Sequence, residues 1–296
     1  MTFISYAQNA EDVMLWRALK AVKNGFYIDV GANDPEYDSV TKVFYDAGWS
    51  GINIEPLRDH YDDLVRRRPR DINLQCAAGA EVGVTELWEC DIRGWASASS
   101  AVISQHQAKG YEGIFRTVQV RTLMDICAEH APGEIHFIKI DVEGFEADVV
   151  AGLDLHQVRP WVLVIEAVEP STGANVYESW EPSILLANYS LAYADGLNRF
   201  YVSHEHAELL VHFRYPPSVL DNYIRLRQYN LERQLKQAEL AVQQAELRTQ
   251  QANLNAESLQ QTLDALVSSR SWRITAPLRS TLTSLRRLRA LFRQEP

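Results

Sequence analysis

The sequence predicts an α/β protein: a mostly parallel sheet with helices on both faces. Three observations carry this. Apolar runs of strand length alternate with amphipathic stretches of helix length. Several of the runs end on glycine or on acids. The alternation has the spacing of βαβ units. Composition permits the fold, since 46% hydrophobic residues and seven Trp can fill a core.

Along the chain, residues 1–24 read as a loop and then a helix carrying Val13, Leu15, Trp16 and Leu19. Strand 26–30 leads into the loop of YIDVGANDPEYDSV (27–40). A helix at 41–48 closes on Gly48, and strand 51–56 ends at Glu55. Helix 56–68 and strand 71–79 follow. The alternation of 84–90 suits an antiparallel addition, and 92–117 reads as a polar loop. Helix 122–130, strand 135–144, helix 145–153 and strand 161–170 continue the pattern. Helix 181–188 and a hairpin, 191–203, turning at Asp195-Gly196, close a domain of residues 1–216. Pro216-Pro217 marks its end.

The composition then changes. Leu231, Leu235, Ala238, Val242, Ala245, Thr249, Ala252, Ala256, Leu259, Leu263 and Leu266 recur at steps of four and three, without Gly or Pro between them. Residues 217–269 are therefore expected to form a coiled coil, with about 50 Å of helix along the seam from Leu231 to Leu266 at 1.5 Å per residue, and the chain a homo-oligomer. A long helix packed on its own domain is the other reading. In 270–296, Pro277 suits a helix start. Leu278, Leu282, Leu285, Leu288, Leu291 and Phe292 line one side, with Arg286, Arg287, Arg289 and Arg293 around it. Such a basic amphipathic tail, anchored by Trp272 and Phe292, suits an inner-membrane surface or an acidic protein surface.

The net charge of −10 is uneven. The tail carries seven Arg and one acid, leaving 22 basic against 38 acidic residues before it. So acidic a body argues against nucleic acid as a partner. Three widely spaced Cys form neither a disulfide framework nor a zinc pattern. With no leader pattern at the start and no long apolar window, the expected location is cytoplasmic, peripheral at the inner membrane.

Ligands of parallel sheets sit at the carboxyl ends of strands. Asp29 with Gly31, Glu55, Asp141 with Glu143, and Glu166 fall there. Glu55 is placed to grip two ribose hydroxyls, as in NAD proteins and methyl-donor proteins alike. The loop favours the latter. A pyrophosphate needs a glycine-rich helix start, whereas Asn33-Asp34-Pro35-Glu36 offers acids suited to a phosphate-free sulfonium. Structural roles stay open for Asp29 as a buried turn-former and Glu55 as a solvated strand end.

YIDVGANDP, INIEP, FIKIDVEGFE and the following AGL together resemble the FkbM family of S-adenosylmethionine-dependent methyltransferases, with a Rossmann-like fold. SYAQNAEDVML resembles the opening of a polysaccharide-associated bacterial branch, and the likeness covers about residues 4–205. It implies Gly31 and Asn33 along the methionine portion, Glu55 on the ribose and Ala77 and Ala78 against the adenine. Asp141 would face the donor's amino end or the acceptor, and Tyr6, Gln8 and Asn9 would form a lid. The implied reaction is O-methylation of a sugar hydroxyl in a surface polysaccharide or glycolipid, for example on a lipid-linked chain. A sugar hydroxyl is a weak acid, so a base or a metal would help. Asp141, Glu143 and Glu166 are the candidates, with Glu143 foremost; Glu143 could instead cap helix 145–153, and the three acids could hold a divalent cation. The alternatives are a non-catalytic scaffold recruiting glycan-assembly enzymes and a nicotinamide oxidoreductase.

Overall fold

A computed structural model describes residues 3–169 and 172–291, with side chains as far as Leu285. The chain opens with a short strand, β1 (Phe3–Ser5), where the sequence suggests a loop. Helix α1 (Glu11–Leu19) follows, then β2 (Phe26–Val30), α2 (Lys42–Asp46), β3 (Ser50–Ile54), α3 (Arg58–Arg67) and β4 (Ile72–Leu74). Next come β5 (Ala77–Ala78), β6 (Gly83–Cys90), α4 (Ser100–Ala108), β7 (Gly113–Arg121) and α5 (Leu123–His130). The second half of the main sheet supplies β8 (Phe137–Ile140), α6 (Glu146–Ala151), β9 (Val162–Glu166), α7 (Glu181–Leu186), β10 (Tyr189–Ala194) and β11 (Asn198–Ser203).

The main sheet has seven strands in the order β10-β11-β9-β8-β2-β3-β4. The five from β9 to β4 run parallel, and β11 is antiparallel to both of its neighbours. From β2 the chain winds outward to β3 and β4, then returns to lay β8 on the other side of β2. This reversal creates a crevice at the carboxyl ends of β2 and β8.

Both faces of the sheet are covered, which is why its central strands are mostly apolar rather than alternating. Ile28, Val30, Ile138, Ile140 and Ile165 join one core with residues of α5, α6 and α7. Tyr27, Phe137, Val162 and Val164 point the other way and pack with α1, Phe44 and Trp49. The period of two along each strand divides its residues between these cores.

Three expectations are corrected. The stretch 92–117 is not simply a loop, for it holds α4 and half of β7. With β5 and β6, β7 forms a separate three-stranded sheet in which β6–β7 is antiparallel. The first compact unit runs to Tyr229 rather than ending at 216. Its last strand, β12 (Tyr223–Arg225), pairs in parallel with β1. Arg17 fixes this return by donating to Asp221 at 2.7 and 2.8 Å and to the Tyr215 carbonyl at 2.7 Å. The two prolines turn the chain; they do not end the unit.

The second unit begins at Asn230. It contains nearly all of α8 (Leu226–Ser268), then α9 (Arg270–Ile274) and α10 (Ala276–Leu291). Ser269 caps α9 by accepting the Trp272 N–H at 3.3 Å, so the tail is two helices instead of one. Pro277 sits in the first turn of α10, where its missing N–H costs nothing. Leu278, Leu282 and Leu285 are exposed. The Leu288, Leu291, Phe292 and arginine side chains from Arg286 onward lie outside the described residues.

Candidate active site

The crevice is shaped first by Gly31. It adopts φ +74°, and a Cβ there would lie 1.9 Å from the Asp141 carbonyl oxygen. No other residue type fits between β2 and β8 without a shift. The N–H groups of Gly31 and Ala32 both donate to the Ile54 carbonyl, at 3.0 and 3.2 Å, curling the loop over the end of β3.

Glu55 is buried directly beneath that loop. Its Oε2 accepts the Asn33 N–H at 3.0 Å and its Oε1 accepts the Leu57 N–H at 2.8 Å. A carboxylate has about four acceptor sites, so it retains capacity for two hydroxyls in a fixed orientation. The acids expected beside the ligand behave differently. Asp34 Oδ1 accepts the N–H groups of Glu36 and Tyr37, at 2.8 and 2.9 Å, and Glu36 pairs with Arg67. Both shape the turn. Buried Arg68 braces it from below through the Pro35 carbonyl, at 2.6 Å, and Ser39 Oγ, at 2.9 Å.

Sequence reasoning passed over Lys139. Its signal was a lysine inside the apolar strand FIKI. It donates to the Gly31 carbonyl at 2.9 Å and lies 3.4 Å from both Asp29 Oδ1 and Asp141 Oδ2. Burial alone would lower its pKa, but Asp141 and Asp29 hold it above the ordinary lysine value. It is therefore a fixed positive charge. Asp29 in turn accepts Thr41 Oγ1 at 2.7 Å through Oδ2, while its buried Oδ1 has no hydrogen bond.

Glu143 lies just beyond β8 in a left-handed conformation, φ +56°, unusual for a side chain of this size. Ser97 Oγ donates to its carbonyl at 2.7 Å and holds the turn. The expected capping role belongs to Glu146, whose Oε1 accepts the Val142 and Gly144 N–H groups, both at 3.1 Å. The Glu143 carboxyl thus has no hydrogen-bond partner among the described residues. Burial first, then Asp141 and Glu146, raise its pKa to about 8, against an opposing pull from Lys139. Glu166 is pushed further, to about 11, by burial and then by Asp141, Glu143 and Glu146. It holds its proton at neutral pH and has a buried Oε2 without a partner. This makes it unsuited to be a base.

Two cavities adjoin here. The first is apolar, about 480 Å³, and lined by Ile54, Pro56, Ala77, Ala78, Val142 and Phe145. The second is polar, about 1040 Å³, and brings together Gln8, Asp29, Gly31, Asn33, Glu55, Asp141 and Glu143. Gly31, Pro56, Leu87 and Val142 border both. Tyr6 is not among the lining residues: its ring lies under Lys42 Nζ at 4.9 Å and its hydroxyl donates to Asp46 at 3.4 Å. Of the suggested lid only Gln8 reaches the cleft, and the Asn9 N–H is held by Glu11 at 2.8 Å. Arg93, Trp95, Tyr37 and Asp38 complete the walls, and no sequence pattern had marked them.

The arrangement fits S-adenosylmethionine on physical grounds. The apolar pocket suits a purine, Glu55 suits a ribose, and the acidic cleft suits a sulfonium and an ammonium. The acids do not fit a metal: among the described residues no group of three or more His, Cys, Asp or Glu is disposed to hold an ion.

Residues 29–211 match the methyltransferase FkbM domain. No curated protein is matched by sequence. Among solved structures, the chain is similar to a TehB-like SAM-dependent methyltransferase from Corynebacterium glutamicum. The identity is 10% and the TM-score 0.36, over 65% of this chain and 87% of that one.

Proposed function

The chain belongs to the FkbM methyltransferase family and is an S-adenosylmethionine-dependent methyltransferase, and we propose that it methylates a sugar hydroxyl of a bacterial surface polysaccharide or glycolipid. The observation that carries the reading is a single cleft uniting the Gly31 turn, Glu55 and the unpaired Glu143 carboxyl. When bound, S-adenosylmethionine supplies a methyl carbon activated by its sulfonium.

The chain's own residues supply position and proton removal. Ala77 and Ala78 wall the purine pocket, Glu55 accepts the ribose hydroxyls, and Asp29 and Asp141 face the amino end. Glu143 takes the proton from the acceptor hydroxyl as its oxygen attacks. Lys139 lies 3.4 Å from Asp29 Oδ1 and Asp141 Oδ2, and Glu143 is the carboxyl whose pKa is raised to about 8. No step is assigned to a divalent cation.

The second unit supports a role in placement. The α8 seam would pair copies of the chain, and α10 would lie on an anionic inner leaflet, near lipid-linked glycans. No helix among the described residues is long and apolar enough to cross a membrane.

Two measurements test the reading. Mass spectrometry of surface glycans from cells with and without the protein should show one O-methyl group lost; unchanged glycans would remove the sugar assignment. Glu143→Gln should keep S-adenosylhomocysteine affinity and lower the transfer rate by about 10²- to 10⁴-fold. A base must be deprotonated, so wild-type kcat/KM should climb as pH rises through about 8 and fall below it. The variant should lack that limb.

A further inference from the structure

The polar cleft extends past the groups that suit the donor, to two loops that Arg93 ties together. Arg93 donates to the Asn33 carbonyl at 2.6 Å and to Asn33 Oδ1 at 3.0 Å, and it contacts Asp63 at 3.1 Å. It thereby clamps the segment before β7 over the donor loop. Two aromatic side chains, Tyr37 and Trp95, line this cavity. Trp95 is fixed in place: its ring stacks on His106 at 4.8 Å and meets Tyr111 edge-on at 5.1 Å. Burial holds His106 below its ordinary pKa, so the supporting ring is neutral.

We propose that the space between the Tyr37–Asp38 turn and Trp95 is the acceptor subsite, and that it takes a neutral, hydroxyl-rich ring. This rests on the methyltransferase reading and specifies its acceptor. The C–H face of a pyranose is weakly positive and packs on the negative face of an aromatic ring. Asp38, held at φ +55°, lines the cleft with no hydrogen bond to its carboxylate among the described residues. It can accept from ring hydroxyls. Charge excludes anionic rings. The two permanent cations of the cleft, Arg93 and Lys139, are engaged by Asp63, Asp29 and Asp141. Asp38 and Glu55 remain as an acidic wall.

The test is saturation-transfer NMR on the full chain loaded with S-adenosylhomocysteine. The probes are neutral methyl glycopyranosides and the anionic methyl glucuronide. At least one neutral glycoside should give ring C–H signals, and the glucuronide none. Trp95→Ala and Tyr37→Ala should each weaken binding about five-fold, with S-adenosylhomocysteine affinity unchanged. Tyr37 is 56% exposed, so its replacement leaves the fold intact. Unchanged glycoside affinity in both variants, or a stronger glucuronide signal, would overturn the subsite while leaving the sugar reading standing. If no glycoside binds the loaded wild type, the sugar reading itself falls.

Discussion

The two units of the chain use the same kind of apolar residue in opposite ways. In the first, Ile28, Val30, Phe137 and Val162 are 0% exposed. In the second, Leu231, Leu259 and Leu278 are 59%, 70% and 66% exposed. Burial contributes about 25 cal/mol per Å² of apolar surface, so the first unit has taken that stabilisation and the second has not. The contrast separates two tasks. The first unit organises a cleft with its own side chains; the second leaves a row of leucines exposed.

The sharpest way to break the first half of this comparison is Gly31→Val. A Cβ 1.9 Å from a backbone carbonyl cannot be relieved by a rotamer, and φ +74° is strained for valine. S-adenosylhomocysteine binding should vanish in calorimetry, with a lowered melting temperature. Glu55→Ala should act next most strongly. It removes the acceptor for two hydroxyls and strands the Asn33 and Leu57 N–H groups. At about 1.5–3 kcal/mol for each hydrogen bond to a charged group, affinity should fall by about 100-fold or more. An unchanged affinity would remove Glu55 from the donor site.

Much of this could be read from the sequence, and the misses have physical causes. The strands were legible because burial on both faces leaves mostly apolar residues in them. Gly31, Glu55 and Glu143 were legible because strand ends are where ligands meet a parallel sheet. Lys139 was missed because its meaning depends on two acids, Asp29 on a neighbouring strand and Asp141, converging on it. Trp95 and Arg93 lie in a stretch with no periodicity; Arg93 acts through contacts with a loop about 60 residues earlier, and Trp95 is placed by His106 and Tyr111. Helix α4 was overlooked because its apolar face is narrow, with Val102, Ile103 and His106 the buried residues. The domain end was misplaced because a double proline marks a turn whether or not the core continues beyond it.

A smaller effect is expected at Glu166, with a definite sign. Its folded pKa, near 11, lies above the ordinary 4.5. The unfolded state therefore loses its proton first, and stability drops as pH rises from about 4.5 towards 11. Glu166→Gln cannot ionise. Its melting temperature should match wild type near pH 4 and exceed it increasingly above neutrality. Equal curves at pH 9 would mean that the carboxyl is solvated or paired in solution.

The smallest effect on the cleft should come from removing the second unit. A chain ending at Tyr229 keeps β12, its pairing with β1 and the Arg17–Asp221 bonds. Its melting temperature and S-adenosylhomocysteine affinity should stay close to those of the full chain, while light scattering should show loss of any oligomer that the α8 seam supports. A chain ending at Pro216 removes β12 and leaves Arg17 without its carboxylate, a loss on the order of 3 kcal/mol for a pair so largely shielded from water. That shorter chain should melt lower and bind less well, because β1 leads directly to Gln8 in the cleft wall. If the two truncations melt together, the return strand contributes nothing and the boundary at the prolines is correct. If the chain ending at Tyr229 itself loses the ligand, the long helix is part of the donor site and the separation of tasks fails.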